Sequence, residues 1–235
     1  LRFIIGSSFD KTQACVTNAR MNIDPRLAPE RWSQLWRAVA KDAAPVELYH
    51  HLLLLYSEPH RCYHNLHHIS DCLAEFDIVR DQASEPVAVE LAIWFHDAVY
   101  DTRATDNEER SVQLAQTSLG EILAESALLD AVSNLILATK KHDASLHVDA
   151  ALLTDVDLSI LGQSQARFWE YEAQIQKEYS WVPIEIFSVK RAEILEGFLT
   201  RGRIYHTDGF FTRLEAQARS NLQASIRRLR NSSSA

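Results

Sequence analysis

The chain has 235 residues, a formal charge of −8 and 46% hydrophobic residues, with only six glycines and six prolines. That length supports one domain with a sizeable core, and scarce Gly and Pro beside many Ala, Leu, Glu and Gln argue for helices. The negative charge argues against a nucleic-acid backbone as partner, and no apolar run approaches the roughly 20 residues needed to cross a bilayer.

The elements are expected in this order. Residues 1–20 lack clear periodicity and Met21 is the sole methionine. The domain is therefore expected to span 21–230, with 1–20 an extension outside the fold and 231–235 a disordered tail. Pro29 opens a first helix through RWSQLWRAVA, with apolar residues three and four apart. Pro45 opens a second, ended near Pro59. A third is expected from Tyr63 to Val79. A fourth runs from Glu85-Pro86 to His96-Asp97, followed by the loop DTRAT. Asp106 and Glu109 make a capping-box-like start for the next helix. Further helices are expected over 123–140 and 148–161, the latter ended by Gly162. Ser164, Pro183 and Asp208 begin the last three. No strand, repeat or linker is evident, so the fold class is all-α, a single-domain helical bundle. Cys15, Cys62 and Cys72 fit neither a disulfide framework nor a zinc ribbon, which suggests a reducing, cytoplasmic setting. RRLR (227–230) reads as a solvated helix end.

Three segments carry candidate chemistry. Six of the ten histidines are His50, His51, His60, His64, His67 and His68. On one helix His64 and His68 would share a face. His96-Asp97 ends an apolar run, AIWFHDAVYD. Buried carboxylates need a counter-charge or a metal, and a mixed imidazole–carboxylate set suits Mn²⁺, Co²⁺, Fe²⁺, Zn²⁺ or Mg²⁺. Asp101 lies one turn beyond Asp97, where it either serves the site or caps a turn. LLTDVDLSILG carries Asp155 and Asp157; either is a candidate ligand, with helix-start acids as the plainer alternative.

The order His68, His96-Asp97, Asp157 resembles the H…HD…D pattern of the HD superfamily of metal-dependent phosphohydrolases. Arg61-x-Tyr63-His64 with His68-Ile69, AIWFHDAVYD, NEERS (107–111), ILATKKH (136–142), DVDLSILG (155–162), Glu178-Tyr179 and E-x-x-AR-x-NL (215–222) look like one bacterial branch of it. The resemblance implies an HD-type bundle with a central metal site held by His68, His96, Asp97 and Asp157, with Asp155 as the substitute for the last. Tyr100 stands where ppGpp hydrolases of this superfamily have a glutamate, so only Asp101 matches that acidic pair. The implied reaction is hydrolysis of a phosphate monoester or nucleotide phosphate by a metal-activated water. Asp101 would orient or deprotonate the water, with Glu108 or Glu109 in reserve. His64 would protonate the leaving oxygen or hold phosphate. Arg61, Lys140 and Lys141 are candidates to neutralise phosphate, and His142 to contact it or support a ligand. The expected partner is a small phosphorylated molecule, with nucleotides among the candidates. Trp94, Tyr100, Trp169, Tyr171 and Trp181 are available to stack on a base, although filling the core is the commoner use. Alternatives are an HD-fold di-iron oxygenase, which needs further ligands from His142 or His147, a non-catalytic ligand-binding HD module, and a helical scaffold with incidental histidines.

Overall fold

The computed structural model describes residues 24–39, 44–120, 122–123, 126–142 and 147–232. The extension expected over 1–20, Cys15, Met21 and the last three residues of the expected tail lie outside them. Among the described residues there are ten α-helices and three short 3-10 turns, and no strand. The helices are α1 (Pro29–Arg37), α2 (Val46–Leu55), α3 (Leu66–Val79), α4 (Pro86–Phe95) and α5 (Asn107–Gly120). They continue as α6 (Ser126–Thr139), α7 (Val148–Asp157), α8 (Gln165–Glu178), α9 (Ile184–Leu199) and α10 (Asp208–Ser232). None is long and apolar enough to cross a membrane.

Helix α4 is the axis of the body. It packs against α3, α5, α6 and α7, and it is apolar on all sides, as a fully enclosed helix must be. Leu91, Ile93, Trp94 and Phe95 are each 0% exposed. Each such side chain contributes roughly 1.5–3 kcal/mol, so the His96-Asp97 end rests on a rigid seat. Pro86 occupies the first turn, where a missing N–H costs nothing. Asp149 of α7 accepts hydrogen bonds from Ser84 N (2.7 Å) and Glu85 N (2.9 Å), tying α7 to the start of α4. The one acid inside α4, Glu90, is paired with Arg31 at 2.7 Å and with Arg80.

Two element boundaries that shape the site differ from expectation. Helix α3 begins at Leu66 rather than Tyr63, because the Asn65 side chain caps it by accepting from His67 N at 2.8 Å. His64 therefore precedes the helix and shares no helical face with His68. Helix α7 ends at Asp157, and Leu158–Gly162 tightens into a 3-10 turn. That turn lies against α10; a Cβ on Gly162 would come within 2.8 Å of the Leu214 carbonyl oxygen. Helix α10 runs to Ser232, two residues into the segment expected as tail.

Candidate metal centre

Three helix ends converge on one point. His68 lies in the first turn of α3, His96 caps the C-terminus of α4 with Asp97 next to it, and Asp157 ends α7. His68 and His96 are each 2% exposed. Their Nε2 atoms face each other at 3.2 Å. Asp97 Oδ2 lies 3.2 Å from His96 Nε2 and 3.5 Å from His68 Nε2. Asp157 Oδ1 lies 3.3 Å from His68 Nε2 and 3.6 Å from His96 Nε2.

These separations are those of a coordination shell. Two ligands about 2.1 Å from one ion stand about 3.0 Å apart at a right angle and about 3.4 Å apart at the tetrahedral angle. The tautomer of His96 fits as well. Its Nδ1 lies 2.9 Å from the Ile93 carbonyl oxygen, which can only accept, so Nδ1 carries the hydrogen and Nε2 presents its lone pair to the centre. The residues present therefore fit a divalent ion.

Cys72, one turn after His68, also has its Sγ among the potential donors around His68, His96 and Asp157. Its sulfur is 3.7 Å from both nitrogens of His68, so it does not lie along the Nε2 lone pair. Asp97 Oδ2 does face that nitrogen, and it completes the oxygen and nitrogen set better than the thiol. The i,i+4 spacing of His68 and Cys72 was the available signal for this neighbour.

The electrostatics favour a cation. Burial disfavours charge on His68 and His96, yet both rings stand well above the usual imidazole value: Cys72 and Tyr63, then Asp157 and Asp97, raise His68, while Asp97 and Asp157 raise His96. Burial likewise opposes charge on Asp97 and Asp157, but His96, His64 and His68 hold Asp97, and His142, His68 and His96 hold Asp157, well below the usual carboxylate range. Without a cation, protons on the two rings balance the two acids. A metal replaces those protons. The raised imidazole values contribute stability that is present below the unfolded value of 6.5 and lost as pH rises through the folded ones. Thermal melts should therefore show the metal-free protein losing stability as pH rises above about 6.5. A saturating divalent ion should reverse that trend, because its binding releases protons. A metal-free protein whose stability climbs steadily with pH would contradict this charge balance.

The remaining candidates divide into those on the adjoining cavity and those away from it. That cavity, of about 820 Å³, is lined by Asp97 and Asp157 at the metal end, and by His64, Glu108, Lys140, Lys141 and His142. His142 Nε2 lies 2.9 Å from Asp157 Oδ2, leaving Oδ1 for the centre. Its backbone is left-handed (φ 46°), an uncommon conformation for a residue with a side chain. Arg201 holds it there through the His142 carbonyl at 2.8 Å. The Lys140 ammonium is taken up by Glu109 at 2.6 Å and by the Thr105 carbonyl at 2.9 Å. Lys141 is exposed and has no ion-pair partner among the described residues.

Three candidates are placed elsewhere. Arg61 does not face the cavity. Its buried guanidinium donates to the His64, Asp97 and Ala98 carbonyls at 3.2, 2.6 and 2.9 Å and to Glu58 at 2.9 Å. Four of its five N–H donors are used in fixing the turn that carries Asp97, and its side chain is 0% exposed, so it does not serve a phosphate in the cavity. Asp101 is also outside that cavity; its Oδ1 accepts from Arg103 N at 2.9 Å and closes a surface turn. Asp155 is 0% exposed and accepts from His206 N, Thr207 N and Thr207 Oγ1, each at 2.7 Å. It anchors the approach to α10, and burial keeps its carboxyl above the usual range despite those donors. Of the two acids in α7, Asp157 is the one that reaches His68 and His96.

Glu178 is the residue whose role sequence reasoning missed. Its Oε1 accepts from the backbone N–H groups of Cys62 (2.8 Å), Tyr63 (2.7 Å) and His64 (3.0 Å). Its Oε2 lies 2.7 Å from His64 Nδ1 and accepts from the Tyr100 hydroxyl at 2.9 Å. Burial opposes its charge, but the His64 ring and these N–H groups draw it down to about 2. The available signal was a carboxylate at the C-terminus of α8, where the helix dipole repels it and some other group must hold it.

No family model, curated protein or solved structure matches the chain.

Proposed function

We propose that this protein is a divalent-metal-dependent phosphohydrolase of the HD type, acting on a phosphate ester. The observation that carries the reading is the convergence of His68, His96, Asp97 and Asp157 at donor separations of 3.2–3.6 Å. Support also comes from their order along the chain, which is the H…HD…D order of that superfamily. These four residues would hold the ion, with His142 orienting Asp157 from behind. A bound divalent ion lowers the pKa of a water and polarises a phosphoryl oxygen.

The chain supplies the rest. Lys141, and Lys140 once released from Glu109, offset phosphate charge at the cavity edge. Glu178 engages His64 at Nδ1, so Nε2 is the ring atom left to serve the cavity. His64 then gives its proton to the leaving oxygen. Glu108, which lines the cavity, takes the place that Asp101 leaves by closing its surface turn.

A phosphate-release screen over nucleotides, sugar phosphates and aryl phosphates with Mn²⁺, Co²⁺ and Mg²⁺ tests the reading. Release is expected with at least one metal and is abolished by chelation. Glu178→Gln should lower kcat by roughly 10–100-fold, the usual scale for an outer partner or a general acid, while metal content stays at the wild-type level. No release with any metal across the panel would refute the assignment, and unchanged kcat in the variant would remove His64 from the proton transfer.

A further inference from the structure

The metal cavity has two chemically different ends. At one end stand Asp97, Asp157, His64 and the lysines. The other wall comes from α8 and α9 and is carbon-rich: Tyr171, Ile175, Phe187, Ile194 and Phe198 line it. Phosphate itself needs only the first end, and at about 820 Å³ the cavity falls in the range that encloses a drug-sized molecule. We infer, resting on the phosphohydrolase reading, that the substrate is a phosphate ester of a bulky, predominantly apolar alcohol, its phosphate at the metal and its hydrocarbon or aryl group against α8 and α9.

The charged groups of that wall are already paired, Lys190 with Glu193 at 2.8 Å and Arg191 with Glu172. Arg191 donates to the Tyr171 hydroxyl at 2.7 Å and to Glu172. A nucleobase placed there would bury several donors and acceptors without partners, which sites discriminate against strongly. An apolar group meets no such penalty. The half-exposed Ile194 stands at the mouth of this wall, 53% exposed, so the wall is open to an entering molecule.

Non-hydrolysable phosphonates test the inference by binding alone. Titration calorimetry on the metal-loaded full chain would compare naphthylmethylphosphonate, methylphosphonate and a nucleoside 5′-methylenephosphonate. The naphthyl compound should bind at least 10-fold more tightly than either of the others, the scale that a few buried methylene groups provide. Ile194→Asn should reduce that preference several-fold and leave methylphosphonate affinity unchanged; its exposed position spares the core. Phe187→Ala should do the same more strongly. Metal-dependent binding without apolar preference, or tighter binding of the nucleoside compound, overturns the inference and leaves the phosphohydrolase reading standing. Phosphonate affinity indifferent to metal removal overturns that reading instead. No binding of any of the three overturns both.

Discussion

Replacing His96 by alanine should empty the metal centre. His96 Nε2 touches three of the four donor groups: His68 at 3.2 Å, Asp97 at 3.2 Å and Asp157 at 3.6 Å. Even outer partners of a metal ligand cost about 10–100-fold in affinity when removed, so loss of the ligand itself should exceed 100-fold. Asp97→Ala should behave alike. The helices should persist, because α4 is held by Leu91, Ile93, Trp94 and Phe95 rather than by the imidazole. Elemental analysis after dialysis, with circular dichroism on the same sample, reads both outcomes. Wild-type metal content in both variants would refute the site.

Asp155 and Asp157 should separate cleanly although they lie two residues apart. Asp155→Ala removes a fully buried acceptor and strands three part-buried donors of His206 and Thr207. Each buried orphan costs about 1–3 kcal/mol, so a loss of roughly 3 kcal/mol is expected. For a chain of this size that lowers Tm by about 6–12 °C. Below its melting point the variant should still bind metal with wild-type stoichiometry. Asp157→Ala should lose the metal instead, because Oδ1 faces His68 and His96. Melting curves with and without added metal separate the two. Metal loss confined to Asp155→Ala would reverse the assignment of the ligand in α7.

Helix starts were readable because their signals are local. Pro29, Pro86 and Ser164 act within a few residues, and α1, α4 and α8 begin where they indicate. His96-Asp97 stood out because an apolar helix seldom ends in two polar side chains without a partner. What escaped the sequence depends on contacts far along the chain. Glu178 grips His64 across 114 residues, and no local pattern announces that. Arg61 looked like a phosphate ligand because arginine often is one; its enclosure by the Asp97 and Ala98 carbonyls, 36 and 37 residues away, redirects it. Asn65 is a local cap signal, and it starts α3 at Leu66, three residues after the start expected at Tyr63. The sequence favours Asp157 over Asp155 but leaves Asp155 as its substitute, because only the position of residues 206–207 shows which acid is already satisfied.

X-ray absorption spectroscopy on the wild-type protein loaded with one equivalent of Co²⁺ or Zn²⁺ tests the metal centre most directly. The predicted result is a first shell of nitrogen and oxygen only, at about 2.0–2.2 Å, with outer scattering from two imidazole rings. An ion that fails to bind, or one bound without imidazole, would contradict the account.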